Sequence, residues 1–543
     1  MADGQPRESR VIPAVAGLRH GNDSAAYRHG LVVLLLAGLV LRLMGIGWGL
    51  PGRIAPDEPP FHPDEHVVWQ AAETLTSAPP PVTFIYGGAF YARAGWLVRA
   101  AVHASVAPQP PRDYAATLVG LRLLNAAAAL VSAALLAAMA RRLLGAAPAL
   151  GAVALYLFFP VTVLDAHYAR PDVLSAALTT ASLAAAVAMA RTGDRRWLAL
   201  GGACTGLATA CLLSGVIGLV PLAVAALEWE RGRAGARWLR PALRAAPFVA
   251  GGTLAGWLFG NLEALLHLEA WQAGLAIASS THNEGGWALP VAQLTRVSLY
   301  AYGSAAALAG YAGIPVLIAS RAPGSLAVVA HLVFGYVLLG RVGGDMMRHQ
   351  EFLAAPMALA AAAALAAAMR ALAGPVRARA ATAAALALMA ALSLQLSLTY
   401  LWPLQFAEDP RHRAGRWLAE HAPAGARVGI TRSFHGDRTY APRLPGGHRL
   451  RVDGLMLRHD FDASGYLDAG LDYIATSDFA RERAEGPTAP GFLRALFREE
   501  RYRIVARFDP ALRPVCLPDW LGSLRPGDLL YVRPTLYVFE RRP

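Results

Sequence analysis

The chain has 543 residues, 55% of them hydrophobic and 16% charged, and its mean hydropathy is +0.37. Soluble globular domains carry nearer one quarter charged residues, so most of the length is expected to form one membrane bundle instead of three or four soluble domains. The formal net charge of +13 raises nucleic acid binding. Much of that charge lies between apolar runs, where the preference for basic cytoplasmic loops accounts for it, and no nucleic acid partner is expected.

About thirty polar residues precede the first apolar run, so that run is expected to remain as an uncleaved first helix. A bilayer core needs about twenty apolar residues in a helix. Eleven such spans are expected, roughly at 31–49, 117–140, 147–166, 172–190, 197–212, 214–228, 245–262, 295–319, 325–340, 351–370 and 381–402. The fifth and sixth are short and nearly joined, as a tight hairpin or one broken helix. Every basic residue is Arg, and Arg141, Arg142, Arg191, Arg195, Arg196, Arg231, Arg321, Arg377 and Arg379 all fall in loops on one side of this arrangement. That side, with tail 1–30, is expected to be cytoplasmic. The other side receives a first exterior loop at 50–116 and everything from 403 to 543, in a bacterium the outer face of the inner membrane.

Within the first exterior loop, "APDEPPFHPDEHVVW" carries Pro-Asp-Glu twice. Asp57 and Glu58 precede two prolines, which hinder a helix. Asp64 and Glu65 precede "HVVWQAAETL", a helical pattern, and acidic residues in a first helical turn are favoured by the dipole. The plain alternative is a helix cap without chemistry. Two more polar knots reach the same face: Asp165, His167, Arg170 and Asp172 in "LDAHYARPD", and Arg341, Asp345, Arg348, His349 and Glu351 in "RVGGDMMRHQEF". Separately, each reads as a structural ion pair or a headgroup anchor. Together at one membrane face they point to a shared cavity. His62, Asp64 and His66 also offer metal donors at i, i+2 and i+4, a spacing of low specificity, so a divalent metal stays open and no cofactor is assigned. Cys204, Cys211 and Cys516 suggest neither a disulfide framework nor a metal site.

From 404 onward the composition changes. "ARVGIT", "LDYIATS", "YRIVARF" and "LYVFERR" read as strands and "RHRAGRWLAEHA" as a helix, giving a compact α/β exterior domain. "LPGGHR" reads as a turn, and no phosphate-cradling glycine loop appears.

The order of these features resembles the GT-C membrane glycosyltransferases, in the branch that includes dolichyl-phosphate-mannose–protein mannosyltransferases and the lipid A aminoarabinose transferases. The resemblance rests on "GWGLP", "HPDEHVVWQAAETL", "PPVTFIYGGAFYA", "FFPVTVLDAHYARPDVLSAAL", "MRHQEFLAAPMALAAA" and "EDPRHRAGRWLAEHAPAGARVGI", in that order over most of residues 30–435. Two departures stand out. The apolar "GLATACLLSGVIGL" holds no Lys where many relatives have one, and "FIYGGAFYA" lacks a Lys-Pro-Pro.

The resemblance implies a GT-C-like polytopic α-helical membrane protein with a C-terminal α/β exterior domain. It implies an inverting transferase that moves a sugar from a polyprenyl-phosphate donor in the membrane lipid to a glycan, lipid or protein acceptor. Asp64 would be the general base, with Glu65 and Asp172 orienting it or the acceptor. Arg348, with Arg170 and His349, would clamp the donor phosphate, and His62, His66 and His167 would line the substrate site. A transporter or flippase of a lipid-linked sugar is the alternative, since intramembrane charges also mark translocation paths, and so is a non-catalytic scaffold. Transporters often show internal repeats, and none is seen here.

Overall fold

The computed structural model describes residues 23–52, 60–75, 86–105, 112–234, 239–282, 291–340, 346–432, 441–456, 470–478, 496–498, 501–510, 529–532 and 534–542. Asp57, Glu58, Arg341, Asp345 and Cys516 lie outside them.

The first apolar run forms α1 (Asp23–Leu43). It ends short of the expected residue 49 because the "GIGWG" turn follows. Gly45 and Gly49 take φ of 73° and 61° there, a backbone that suits glycine. At Gly49 the ring of Phe61 leaves no space for a Cβ. Helix α2 (Pro63–Thr74) starts with His62 as N-cap, Pro63 in the first position, and Asp64 and Glu65 in the first turn. Then come α3 (Phe90–Ser105) and the 33-residue α4 (Arg112–Leu144).

The single span expected at 147–166 is bent by 55° between α5 (Ala146–Phe158) and α6 (Pro160–Leu164), where Pro160 cannot donate to the preceding turn. A 3-10 turn, Asp165–His167, leads toward α7 (Asp172–Thr192). The stretch left open at 197–228 is two helices. α8 (Arg196–Cys211) stops at extended Leu212, and a 3-10 turn, Leu213–Gly218, leads into α9 (Leu219–Ala234). α10 (Leu239–Gly260), α11 (Leu262–Leu266) and α12 (Leu268–His282) follow. The expected 295–319 span is interrupted: a π turn, Gln293–Val297, and α13 (Ser298–Tyr302) are divided from α14 (Ser304–Ser320) by Gly303 at φ 82°. After α15 (Ser325–Leu339), a 3-10 turn, Met347–Leu353, opens α16 (Ala354–Phe406).

Helix α16 covers both expected spans 351–370 and 381–402 in one 53-residue helical run. Its neighbours show that the run doubles back. A straight helix would put Ala360 and Ser393 about 50 Å apart at 1.5 Å per residue. Yet a Cβ on Gly313 would strike Ala360, and one on Gly303 would touch Ser393, and those glycines are only about 15 Å apart along α14. The reversal falls between the two contacts. Among the described residues, six helices are long and apolar enough to cross a membrane, or seven if the bent α5–α6 pair is one span, and α14 and α15 are shorter apolar helices.

Small residues bring the helices close. Gly202 and Gly206 of α8 face backbone of Val249 and Thr253 in α10, while Gly252 and Gly256 of α10 face the carbonyls of Ala199 and Ala203 in α8. One end of the bundle gathers arginines: Arg141 lies over Tyr27, Arg191 donates to the Arg142 carbonyl, and Arg195 pairs with Glu230. The opposite end holds α2 and the Asp165–Asp172 and Met347–Leu353 turns.

Helix α17 (Pro410–His421), capped by Asp409, leads into a five-stranded sheet. Its strands are β1 (Arg427–Arg432), β2 (Arg451–Met456), β3 (Tyr473–Ser477), β4 (Tyr502–Phe508) and β5 (Leu536–Arg541), in the order β2-β1-β3-β5-β4. The β1–β2 and β1–β3 pairs are parallel and the other two antiparallel. Ala414 and Leu418 of α17 pack on Val428, Ile430 and Val538. Four strands lie on the alternating stretches of the sequence; β2 lies on one that sequence reasoning passed over.

Candidate active site

Three separate parts of the chain meet at Asp64. Its Oδ2 is 3.2 Å from Nε of Arg170 and 4.0 Å from Nη2 of Arg348. Arg170 also reaches Asp172 Oδ2 through Nη2, at 2.9 Å. Asp64 keeps 26% of its side chain exposed, against 5% for Arg170, 6% for Asp172 and 13% for Arg348. The carboxylate therefore stands at the mouth of a charged cluster whose cations lie deeper. Burial works against the Arg170 charge, but Asp172 first and then Asp64 outweigh it and hold its pKa well above the ordinary value. Arg170 Nη1 is buried without a hydrogen-bond partner among the described residues, so this cation keeps its Nη1 donors for a further acceptor. Tyr86 is close enough to feel the same charges, and burial pushes its phenol well up, so it stays neutral.

Glu65, one residue on, faces the interior. Its carboxylate receives two parallel bonds from Arg122, at 2.9 and 2.8 Å, and a third from the Ala169 amide at 2.7 Å. Glu65 and Arg122 are both fully buried. Arg122 also donates to the carbonyls of Ile46 and Trp48 at 2.6 and 2.7 Å. One ion pair thus ties the start of α2 to α4, to the turn after α1 and to the backbone just before Arg170.

The histidines separate. His62 Nδ1 accepts from the Asp64 amide at 3.2 Å, and burial lowers its pKa well below 6.5 against the pull of Asp64. His66 turns away to an aromatic group, with Nδ1 3.0 Å from the Tyr114 hydroxyl and its ring stacked 6.1 Å from Trp69. Both ring nitrogens of His167 meet backbone carbonyls, Val163 and Met44, at 2.7 Å. This anchors the turn to the end of α1. His349 follows Arg348 in the Met347–Leu353 turn and is half-buried. His62 and His66 thus meet different partners, and no group of three or more His, Cys, Asp or Glu among the described residues could hold a metal.

Sequence reasoning missed Arg122 and Arg42. Arg42 is fully buried in α1, where it donates to the carbonyls of Gly38, Leu157 and Thr162. The available signal was simple: each is a cation inside or beside an apolar run. Glu351, seen in sequence but given no role, is 3% exposed, and neither carboxyl oxygen has a hydrogen-bond partner among the described residues.

Residues 115–250 match the family model of the dolichyl-phosphate-mannose-protein mannosyltransferases. That stretch of the chain is similar to this family. It includes Arg122, Arg170 and Asp172. Among solved structures, the fold is similar to the Archaeoglobus fulgidus oligosaccharyltransferase in its apo form, at 12% identity and a TM-score of 0.50, covering 90% of this chain and 74% of that one. The complex of that enzyme with Zn and sulfate gives 13% identity and a TM-score of 0.50, over 89% and 72%. ArnT from Cupriavidus metallidurans bound to undecaprenyl phosphate matches at 15% identity and a TM-score of 0.49, over 93% and 97%. None of the curated proteins matches the chain.

Proposed function

We propose that this protein is an inverting glycosyltransferase, moving a sugar from a polyprenyl-phosphate donor to an acceptor hydroxyl or amine on the exterior face of a bacterial inner membrane. The observation that carries the reading is the meeting of Asp64, Arg170 and Arg348, from three separated parts of the chain, with the carboxylate partly exposed and the cations behind it. A sugar leaving a phosphate needs a base for the acceptor's proton and cations for the phosphate oxygens. The acceptor attacks the anomeric carbon as the bond to the phosphate oxygen breaks. The electron pair leaves with the polyprenyl phosphate, and the acceptor's proton passes to Asp64. A single displacement inverts the anomeric centre.

Arg170 and Arg348 are the groups that would meet the phosphate, Arg170 through the donors left over at Nη1. While they face Asp64 they also occupy it. A phosphate drawing them away would leave the carboxylate open to the incoming proton, so donor binding would prepare the base. Asp172 holds Arg170 from the other side, and Glu65 positions the first turn of α2. His62 caps that turn, while His66 and His167 serve as packing and anchoring groups. In this reading the chain crosses the membrane eleven times, with tail 1–30 cytoplasmic, a transmembrane region at 31–402, and an exterior, non-catalytic domain at 403–543.

Asp64→Asn tests the reading. It keeps side-chain size and removes the base, and base catalysis is worth about 10²–10⁴-fold. A loss on that scale is expected in formation of the envelope glycan or glycolipid that a deletion strain lacks, at parental membrane abundance. Product formation equal to the parent sinks the proposal.

A further inference from the structure

Phe61 stands three residues before Asp64 and is 2% exposed. Its backbone is pinned by a bond from its amide to the Gly49 carbonyl, at 3.0 Å. The ring meets Trp48 edge-on at 5.2 Å on the bundle side. Gly49 also packs against it, and three further neighbours come from beyond residue 408. The Arg411 guanidinium lies 3.7 Å from the ring centroid, Arg443 lies 5.1 Å away, and the His412 ring is at 5.5 Å. Arg411 itself is fully buried. Asp409 holds it through Nε and Nη2 at 2.7 and 2.8 Å, and also caps α17 through the Arg411 amide. The Arg411 carbonyl accepts from the Arg443 amide at 2.9 Å, and Gly415 lets that segment approach so closely that a Cβ there would overlap the Arg443 carbonyl.

We propose that Arg411 is a positioning residue for the active-site turn: through Phe61 and Trp48, the start of the C-terminal region fixes the His62–Glu65 turn and so the place of Asp64. The path is short and has two arms. One runs from the Arg411 cation onto the face of Phe61 and then along three residues of backbone to Asp64. The other runs from Arg411, 5.4 Å from Trp48, through the Trp48 carbonyl to Arg122 and on to Glu65. A desolvated cation against an aromatic face, held by its own carboxylate, makes a stiff support. Stiffness matters here because a base displaced by about 1 Å can lose roughly a hundredfold in rate. The C-terminal region then contributes to turnover without touching substrate. This inference rests on the assignment of Asp64 as base, but its first test does not.

Amide hydrogen exchange on the full-length protein in lipid nanodiscs reads the support directly. Arg411→Gln is expected to speed exchange across residues 61–66 at least about tenfold, while β1 and β5 stay protected; Arg411→Lys, which keeps a cation over the ring, is expected to fall nearer the parent. Because Arg411→Gln leaves Asp409 buried without its partner and can impair folding, Phe61→Leu is the second variant, removing the ring and leaving the ion pair intact. Both are then tested in the deletion strain for product formed per folded protein, with an expected loss of about tenfold or more each. The double variant is expected to be no worse than the poorer single one, since both break the same support. Unchanged exchange at 61–66 in Phe61→Leu, equal behaviour of the Lys and Gln variants, or parental product per folded protein in Phe61→Leu overturns the proposal. If Asp64→Asn retains full product while exchange at 61–66 still depends on Arg411, the base assignment has failed and the mechanical link stands.

Discussion

Replacing Glu65 by Gln probes an acidic residue that adjoins the proposed base yet meets a different environment. Its carboxylate takes three bonds: two from Arg122 and one from the Ala169 amide. Gln keeps one acceptor oxygen, which can take the place of Oε1 and still receive both Arg122 Nε and the Ala169 amide. It turns the other arm's partner into an NH₂ group facing a guanidinium and strands the Arg122 charge in a fully buried site. Breaking a buried ion pair from one side costs about 3–5 kcal/mol. The carbonyls of Ile46 and Trp48 still receive Arg122 Nη1, which places the expected cost toward the lower end, about 3 kcal/mol. A domain's whole stability is only about 5–15 kcal/mol, so Glu65→Gln is expected to lower membrane abundance and the thermal midpoint. Asp64→Asn should do neither, since Asp64 itself is partly exposed and Arg170 keeps Asp172 as a partner. The assay pairs quantitative immunoblotting and thermal melting of purified protein with product formed per folded molecule. A Glu65→Gln protein that is abundant and melts normally but is inactive would refute the reasoning and give Glu65 a chemical role.

Acid should loosen the same turn. His62 has its pKa depressed in the folded protein, so below the unfolded value of about 6.5 the unfolded chain binds more protons; stability then falls with falling pH by up to about 1.4 kcal/mol per unit. Melting scans between pH 8 and 5 check this, and His62→Asn, which retains a cap, should flatten the His62 part of the slope. The α8–α10 contact predicts a sharp contrast between glycines: a Cβ on Gly206 would lie 2.1 Å from the Thr253 carbonyl oxygen, while Gly251 has nothing within 4 Å. Gly206→Ala should therefore cost about 1–3 kcal/mol by overpacking, and Gly251→Ala should be neutral or slightly stabilising.

Much of the bundle was legible because its signals are local. Apolar runs mark the spans, and "HPDEHVVWQAAETL" carries both the N-terminal signal and the periodicity of α2. Two departures from straight spans have local causes as well, in Pro160 and Gly303. These residues were visible, but a hydropathy window averages over them. Arg122 and Arg42 were hidden for a different reason. Inside an apolar run a cation reads as an exception, and its partners, Glu65 for one and the Leu157 and Thr162 carbonyls for the other, lie 57 to 120 positions away. Residues from 404 onward gave up four strands through their alternation. β2, "RVDGLM", alternates too weakly to stand out.

The second Pro-Asp-Glu sets two acidic residues side by side in different surroundings. Asp64 and Glu65 are neighbours with the same chemistry, both in the first turn of one helix, and the dipole favours them alike. Successive residues on a helix point about 100° apart, and that rotation separates their fates. One side chain emerges at the mouth of the cluster with Arg170 and Arg348. The other turns into the seam between α2 and α4, where Arg122 was waiting unseen in the sequence. A base needs the first environment, since it must reach a proton that arrives from outside; a strut needs the second, where water cannot compete for its bonds. The two roles also require each other. Asp64 can stay partly exposed without drifting because Glu65, one residue away, is locked from beneath. The locking group is itself held by Trp48 and Ile46, at the turn on which Phe61 rests. A partly exposed carboxylate proposed as a base therefore gains a fixed position from the buried carboxylate beside it, which is a physical reason for Asp and Glu to stand together here.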